Sequence, residues 1–427
     1  MGRPVAAVLT LGCKLNLADS EEIARALRRA GFDVVDRLCE AQAVVINTCS
    51  VTHVADQKSR RLIRAARRLA PGATVAVTGC YPQTAGFEAV RALGADVVAG
   101  TRDRDKAELV AAIAGRAAGS EPAAASAEPG LRVRAFVKAQ EGCNDVCAFC
   151  IVPRTRHREE SRSIERVVSD VEAATAAGAK EVVLTGTQLG SWGRDLEPPL
   201  RPHHLIAAVL ERTDVPRLRF SSLQPQDITP ELLALWSDPR LMPHFHLALQ
   251  SGSDRILRAM RRRYTVREFL AAAARIRAAV PDAAITTDVI AGFPGETEED
   301  FAATLRVCRE VGFARIHAFP FSPRRGTLAA LLPDQVPHEV KRERIAALTE
   351  LGQELRERFA RAWQGSRRPV LWEEERPTPE GPRWHGYTDN YIAVYASGEG
   401  LRNRIVPAVI GEPYLDGARA VIAGGTR

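Results

Sequence analysis

The stretch that decides the fold is EGCNDVCAFC, residues 141–150, which places Cys143, Cys147 and Cys150 close together. Three thiolates at this spacing hold three irons of a cubane [4Fe-4S] cluster and leave the fourth iron open for chemistry. A structural zinc site usually has paired Cys-x2-Cys knuckles, and no second knuckle follows. A disulfide framework is disfavoured because the number is odd. The spacing predicts an open iron–sulfur site, with zinc or a chance group of thiols as the alternatives.

The composition is that of a large folded protein. The chain has 427 residues, 45% of them hydrophobic, which suits about two to four domains. A net charge of +7 permits a nucleic-acid partner but does not identify one. No run of 18 apolar residues exists, and the apolar stretch over residues 5–12 is too short for a signal peptide. We therefore expect a cytoplasmic protein without a membrane span.

Residues 1–116 alternate apolar strands with amphipathic helices, which predicts a doubly wound α/β domain. The predicted strands are Val5–Thr10, Ala43–Thr48, Thr74–Thr78 and Asp96–Ala99. The predicted helices run from a cap at Asp19 or Ser20 to Gly31, over Ala55–Leu69 and over Thr84–Leu93. Residues 117–131 are small and contain proline, and they predict a linker.

A second series of strands and helices spans residues 132–364. Its predicted strands are Arg134–Ala139, Glu181–Thr187, Arg217–Leu223, His244–Gln250, Ala284–Gly292 and Ala314–Phe321. Helices are predicted over Val266–Val280, over Glu298–Val311 with Thr297 as its cap, and over Val340–Trp363. Six units are too few for a closed eight-fold barrel and predict an open (β/α)6 partial TIM barrel. Residues 365–427, punctuated by Gly and Pro, predict a small all-β module.

Three further cysteines share one kind of position although they are far apart in the chain. Cys13, Cys49 and Cys80 each follow a predicted strand directly. The carboxyl ends of parallel strands lie along one edge of a sheet, so the fold can gather these thiols. The alternative is three ordinary buried cysteines. Cys39 and Cys308 lack this placement, which predicts a loop residue and a helix core residue.

The spacing of residues 143–150, with Phe149 before the last cysteine, resembles the radical S-adenosylmethionine (SAM) enzymes. The resemblance implies that the amino and carboxylate groups of SAM bind the open iron and that one electron cleaves SAM to a 5′-deoxyadenosyl radical. It also implies SAM contacts at the ends of the barrel strands, where ordinary βα turns are the alternative. These expected contacts are Phe149, Gly186, Gln188, Gln250, Ser251 and Gly292.

Two three-cysteine sets on one chain resemble the methylthiotransferases. The resemblance implies that Cys13, Cys49 and Cys80 hold an auxiliary [4Fe-4S] cluster that carries the inserted sulfur, and that the 143–150 set holds the SAM-binding cluster. It also implies a C-terminal RNA-binding TRAM domain with an OB-like barrel, whose clearest match is HGYTDNYIAV, residues 385–394.

A basic segment follows Cys150. A methylthiotransferase that acts on RNA needs a rim of basic side chains around its site to bind phosphates. The alternative for these arginines is a solvated basic surface. The alternative for the C-terminal module is a purely structural barrel with buried tyrosines. The predicted RNA-binding residues are Arg154, Arg156, Arg158, Arg162, Tyr387, Tyr391, Arg402 and Arg404. The chain departs from the usual pattern at Arg156-His157, where Arg-Gly is common.

Three local stretches resemble the branch that acts on threonylcarbamoyladenosine in tRNA. They are TLGCKLN at 10–16, NTCSVTHVADQKSR at 47–60 and GYTDNY at 386–391. The resemblance implies methylthiolation of C2 of N6-threonylcarbamoyladenosine at position 37 in the tRNA anticodon loop. It also implies a monomer with an electron donor such as flavodoxin or ferredoxin. The alternative substrates are N6-isopentenyladenosine-37 and ribosomal protein S12. The sequence is also compatible with a radical SAM enzyme that inserts no sulfur and with a non-catalytic iron–sulfur RNA-binding protein.

Overall fold

The computed structural model describes residues 3–39, 41–117, 133–220 and 222–423. The predicted linker lies outside these ranges except for residue 117. The N-terminal elements are β1 (Val5–Thr10), α1 (Lys14–Arg29), β2 (Asp33–Val35), β3 (Ala43–Thr48), α2 (His53–Leu69), β4 (Thr74–Gly79), α3 (Cys80–Ala85), α4 (Phe87–Arg91), β5 (Val97–Val98) and α5 (Asp103–Ala117).

These elements form the predicted doubly wound layer. The sheet is parallel throughout, in the order β2-β1-β3-β4-β5, and apolar cores lie on both faces. The predicted bounds of β1 and β3 are confirmed. The predicted start of α1 at Asp19 or Ser20 is wrong, because the helix begins at Lys14 with Cys13 as its N-cap. Both residues are instead buried inside the helix, where Asp19 meets cations from the next domain.

The predicted helix over Thr84–Leu93 is also corrected. It is two short helices, α3 and α4, separated at Gly86. Gly86 has φ of 88°, a conformation that costs glycine little and interrupts the helix. The break lets α3 begin at Cys80 directly after the sheet.

The central elements are β6 (Arg134–Lys138), β7 (Gln140–Glu141), α6 (Val152–Thr155), β8 (Glu160–Ser161), α7 (Ile164–Ala176), β9 (Glu181–Thr185), α8 (Pro202–Arg212), β10 (Leu218–Phe220), α9 (Pro230–Ala234), β11 (His244–His246), α10 (Asp254–Ala259), α11 (Val266–Ala279), β12 (Ala284–Ala291), α12 (Glu298–Val311), β13 (Arg315–Pro320) and α13 (His338–Ala362). Parallel pairing runs β6-β9-β10 and β11-β12-β13, and bridges such as Leu218 to Leu241 join the two halves. The six-stranded partial barrel is therefore confirmed. Thr297 caps α12 and receives a reciprocal bond from Asp300, as its sequence predicts.

The C-terminal elements are β14 (Arg367–Arg376), β15 (Arg383–Thr388), β16 (Ala393–Ala396), β17 (Arg404–Tyr414) and β18 (Gly417–Ile422). They close into the predicted small barrel in the order β14-β15-β16-β18-β17. All pairs are antiparallel except β16 with β18. The buried Trp372 fills its core.

The N-terminal domain meets the partial barrel through α1, which packs along β6 and β9. We call the interior of the partial barrel the lumen. Successive side chains of a strand point to opposite faces. In each barrel strand, one set packs outward against the helices, and the alternate set faces this lumen. No helix among the described residues has the length and apolar character needed to cross a membrane.

Candidate active site

The first three cysteines lie where their strands end, as the sequence predicts. Cys13 caps α1 after β1, Cys49 follows β3, and Cys80 begins α3 after β4. Two asparagines fix the first two loops. The side chain of Asn16 donates to the carbonyl oxygens of Leu11 at 2.6 Å and Thr48 at 3.0 Å, while Asn47 donates to the carbonyl oxygen of Asn16 at 2.8 Å.

These thiols lie close together. A Cβ placed on Gly12 would lie 3.0 Å from Cys49 Sγ, so only glycine lets the loop before Cys13 approach that thiol. Thr48, directly before Cys49, pairs with Gly79, directly before Cys80, in the register of β3 and β4, and its hydroxyl accepts from the Tyr81 N–H at 3.3 Å. The fold therefore gathers three residues that lie far apart in the sequence.

The second set occupies a loop that the barrel holds from two sides. Gln140, in the short strand β7 that follows β6, donates to the carbonyl oxygens of Glu141 at 2.9 Å and Gly142 at 2.8 Å. The Arg262 guanidinium donates to Cys147 Sγ at 3.3 Å and lies over the ring of Tyr264, with 4.9 Å to its centroid. Sequence reasoning missed Arg262, because its contact comes from the loop between α10 and α11.

The sulfur spacing fits a cluster better than a single zinc ion. Among the described residues, neither cysteine set has its three sulfur atoms all within 4.8 Å of one another. Tetrahedral zinc with Zn–S bonds of about 2.3 Å would bring the sulfurs to about 3.8 Å. A cubane spreads its thiolates farther apart because each binds a different iron. The donor chemistry and the spacing therefore both suit iron–sulfur clusters.

Because these thiols are buried, they ionise to thiolates less readily in the absence of a metal. Burial raises the pKa of Cys49 to about 11, of Cys143 to about 12 and of Cys150 to about 11, and it also raises the pKa of Cys80. Thiolate is the form that binds iron, so loading of the site would release protons.

The two cysteine sets lie on adjoining elements at the domain boundary. α3, which begins at Cys80 of the first set, packs against α6, which directly follows Cys150 of the second. Arg156, a buried side chain directly after α6, lies near Cys80 and opposes the rise that burial causes in the pKa of that thiol. A substrate atom held between the sets could be reached from both.

The residues expected to contact SAM have different environments. Phe149 is half-buried beside Phe293 and Ile256, and the backbone N–H of Gln188 donates to Gln140 Oε1 at 2.9 Å. Gly186 and Gly292 lie at strand ends, with Gly292 at φ of 73° and its N–H donating to Glu296 at 2.6 Å.

Gln250 and Ser251 follow the end of β11. Gln250 has φ of 63°, and its backbone bonds to Asp288 and Ile290 of β12. Ser251 is fully buried, with its hydroxyl 3.4 Å from that of Thr304 on α12. The Ser251 side chain therefore lies against α12.

Two of the predicted RNA-binding arginines are instead part of an ion network between the domains. Arg156 is 3% exposed and its guanidinium binds Asp19 at 2.6 Å and Glu141 at 2.7 Å. Arg162 pairs with Glu22 and, at 2.8 Å, with Asp103. Their hydrogen bonds are used internally, so they do not form a phosphate rim.

The centre of this network resembles a metal site but holds an ammonium group. Asp19, Asp103 and Glu141 offer oxygens within 4.8 Å of one another. Lys138 Nζ lies 3.0 Å from Asp19, 2.6 Å from Asp103 and 2.8 Å from Glu141. The lysine supplies the charge that a cation would otherwise supply.

Arg154, Arg158, Arg402 and Arg404 are exposed and make no side-chain ion pair within the described ranges. Arg158 lines a cavity of about 380 Å³ beside the second cysteine loop, together with the exposed Arg102. These side chains remain available for an anionic partner.

The two tyrosines predicted to contact RNA pack against the partial barrel. Tyr391 stacks on His244 at 4.1 Å between centroids and on Tyr387 at 4.9 Å. The Arg219 guanidinium lies 4.8 Å from the Tyr391 centroid and donates to the carbonyl oxygen of Asp389 at 3.0 Å. This stack joins the C-terminal barrel to the end of the lumen where the strands begin.

Sequence reasoning also missed a polar cluster within the lumen. His246 Nε2 lies 3.2 Å from Asp288, and the register of β12 and β13 places His317 opposite Asp288. Burial lowers the pKa of Lys14, the first residue of α1.

Comparisons with known proteins agree with this architecture. Residues 6–100 match the uncharacterized protein family UPF0004, and residues 137–308 match the radical SAM superfamily. The radical SAM methyltransferase TsrM from Kitasatospora setae, solved with cobalamin and a [4Fe-4S] cluster, shares the fold with a TM-score of 0.55 at 16% identity, over 75% of each chain.

Two curated relatives extend over nearly the whole chain. The threonylcarbamoyladenosine tRNA methylthiotransferase MtaB of Bacillus subtilis (strain 168) is 37% identical over 96% of this chain and 94% of its own length. The tRNA-2-methylthio-N(6)-dimethylallyladenosine synthase of Syntrophomonas wolfei is 35% identical over 95% of this chain and 94% of its own length. At this identity and coverage, the chain belongs to the radical S-adenosylmethionine methylthiotransferase family.

Proposed function

We propose that this enzyme adds a methylthio group to C2 of N6-threonylcarbamoyladenosine at position 37 of tRNA. The observation that carries the proposal is the presence of two three-cysteine sets on adjoining elements, since α3 begins at Cys80 and packs against α6, which follows Cys150. A relative with this named activity, 37% identical over nearly the whole chain, supports the substrate. Relatives named for dimethylallyladenosine make the isopentenyl nucleoside the second candidate.

Each cysteine set has its own part in the proposal. Cys143, Cys147 and Cys150 would hold the cluster that binds SAM, and Cys13, Cys49 and Cys80 would hold an auxiliary cluster with the sulfur to be transferred. When bound, these groups supply a radical able to abstract the C2 hydrogen and a methylated sulfur to replace it. An inert aryl C–H bond needs this chemistry because no side-chain base could remove its proton usefully.

The chain's own residues hold these parts in register. Asn16 and Asn47 fix the auxiliary cysteine loops to one another, and Gln140 fixes the SAM-side loop to the ends of β6 and β9. Lys138 and Asp19 hold the two domains together, which sets the separation of the cysteine sets. Enzymes need such preorganisation because small misplacements of reacting groups cost large factors in rate.

The RNA partner would bind through the exposed arginines rather than through the buried ones. Arg154 and Arg158 flank the cysteine loop, and Arg402 and Arg404 lie on the C-terminal barrel. The target base would have to leave its stack to reach the lumen, which the single-stranded anticodon loop allows at low cost. Salt-dependent affinity with a contribution from each of these arginines is expected.

Mass spectrometry of tRNA nucleosides from cells with and without the gene tests the proposal. Loss of 2-methylthio-threonylcarbamoyladenosine, with accumulation of the unthiolated nucleoside, is the expected result. Loss of 2-methylthio-isopentenyladenosine instead would move the substrate to the second candidate. No change in any tRNA nucleoside would contradict both and direct the test to ribosomal protein S12.

A further inference from the structure

The last strand of the partial barrel borders a groove at the open edge of its sheet. Within the described residues, β13 pairs with β12 on one side and with no strand on the other. A groove of about 280 Å³ lies between β13 and α13. Arg315 and Phe319 line it from the strand, and Gln353 and Arg356 line it from the helix. The open side of the barrel therefore offers a polar groove with one aromatic ring.

The charge of this groove is positive. Arg315 and Arg356 are half-buried, and neither guanidinium makes an ion pair or a hydrogen bond with another described residue. No Asp or Glu is among the described residues that line the groove. Asp416 lines a small neighbouring cavity with both arginines, but it accepts a hydrogen bond from the Tyr395 hydroxyl at 2.6 Å. A basic groove of this kind attracts a polyanion and follows its backbone.

The ring of Phe319 faces the lumen. Ile316 and Ala318 pack against the core of the partial barrel, so Phe319, on the alternate face of β13, points to the lumen. His317 lies on the same face, and its ring centroid is 6.0 Å from that of His246. Phe319 is nevertheless 44% exposed. An exposed aromatic ring beside a basic groove is the combination that binds single-stranded nucleic acid, because bases stack on the ring while cations bind phosphates.

The loop that follows Phe319 contacts both cysteine loops. Arg324 donates to the hydroxyl of Ser50, which directly follows a cysteine of the first set, at 2.9 Å. The N–H of Ala329 donates to the carbonyl oxygen of Ala148, inside the loop of the second set, at 2.8 Å. Nucleotides bound along the groove are therefore led towards the loops that carry the proposed chemistry.

We propose that this groove binds a single-stranded segment of the substrate RNA, with Phe319 stacked on an unpaired base and with Arg315 and Arg356 bound to phosphates. This inference rests on the proposed function, and it adds the surface that would bring the RNA to the open side of the barrel. An adenine ring is also part of SAM, so the experiment separates these two sources of a stacking partner.

The test measures binding of a fluorescently labelled anticodon stem-loop RNA to the full chain by fluorescence anisotropy. Phe319→Ala and Phe319→Leu should each weaken binding about 5- to 100-fold because base–aromatic stacking is lost, whereas Phe319→Trp should retain binding. Phe319→Leu keeps an apolar side chain at this position and so tests the aromatic face alone. The matched control is Phe87→Ala, which removes an exposed ring on α4 and should bind as the native protein does.

A set of RNAs with one abasic nucleotide each identifies the stacked base. One of these RNAs should bind the native protein about 5- to 100-fold more weakly and lose little more affinity with Phe319→Leu, because the ring and the base form one contact. Arg315→Gln and Arg356→Gln should each reduce the slope of log affinity against log salt concentration by about 0.7. Arg64→Gln, which replaces an exposed arginine on α2, should leave that slope unchanged.

Three results would overturn the inference while the proposed function stands. Additive losses from Phe319→Leu and every abasic RNA would mean that the ring contacts no base. Weaker SAM cleavage by reconstituted Phe319→Leu, with RNA binding unchanged, would assign the ring to the adenine of SAM. Self-association of the native protein that Phe319→Ala abolishes would assign the groove to a second copy of the chain. Absence of RNA binding by the native protein would overturn the proposed function and this inference together.

Discussion

Replacement of Asp19 by Asn is expected to weaken the joint between the N-terminal domain and the partial barrel by about 3 kcal/mol. Asp19 is 2% exposed, and its carboxylate binds Lys138 at 3.0 Å and Arg156 at 2.6 Å as well as Lys106. Removing one partner of a buried ion pair costs about 3–5 kcal/mol because the remaining charges stay desolvated. Lys138 keeps its contacts with Asp103 and Glu141, so we expect the lower end of this range.

Hydrogen exchange followed by mass spectrometry measures this effect locally. Unfolding of a chain with several domains does not define one free energy, whereas exchange reports the opening of each element. A loss of about 3 kcal/mol corresponds to about 100-fold faster exchange in α1. Asp36→Asn, an exposed carboxylate of the same domain, is the control. Less than about a threefold acceleration in α1, or an equal effect of the control, would refute the reasoning.

The same variant makes a prediction about pH. Burial alone would raise the pKa of Asp19, but Lys138, Lys106 and Arg156 outweigh burial and hold that pKa well below its usual range. The stabilisation is therefore fully present above the unfolded pKa of about 3.9 and is lost as pH falls through the lower folded value. The difference between the native protein and Asp19→Asn should be constant from pH 7 to about pH 5, after correction for intrinsic exchange. A difference that halves within that window would contradict the assignment.

Three further outcomes are expected. Cys49→Ser should lower bound iron by about four atoms per chain and abolish methylthiolation while SAM cleavage persists; loss of both activities together would contradict separate roles for the cysteine sets. Arg262→Gln should make the reduction potential of the SAM-binding cluster more negative, because Cys147 loses a hydrogen bond and a nearby positive charge. The control is Arg258→Gln, which replaces an exposed arginine. A redox titration that gives the same potential for both variants would count against this contact. Tyr391→Ala should loosen the C-terminal barrel from the core, because the ring stacks on His244; limited proteolysis unchanged from the native protein would exclude such a role.

Much of the candidate site was predictable because short sequence patterns show where its cysteines lie. The cysteines at 143, 147 and 150 lie within one loop, so their spacing alone predicts a shared site. Cys49 lies at its predicted strand end because β3 begins with the apolar run AVVI and is buried along its whole length. The parallel topology then accounts for the approach of Cys13 and Cys80.

Long-range pairing was not predictable from those patterns. A sequence does not reveal whether an arginine near a basic segment meets solvent or a buried carboxylate of another domain, and Arg156 meets Asp19 across 137 positions. The helix start at Lys14 was missed for the same reason, since Cys13 is a weak cap whose position is fixed by Asn16 and Asn47. Tyr391 looked like an RNA-stacking residue until its contact with His244 was seen.

The sequence by itself determined the three-part architecture, the two cysteine sets and the open (β/α)6 core, because hydrophobic periodicity and short spacings are local properties. Only the tertiary structure decided which charges are buried, which arginines remain free and which side chains enter the lumen. Those depend on how α1 docks on β6 and β9, and docking brings together residues such as Asp19 and Lys138 that no local pattern connects.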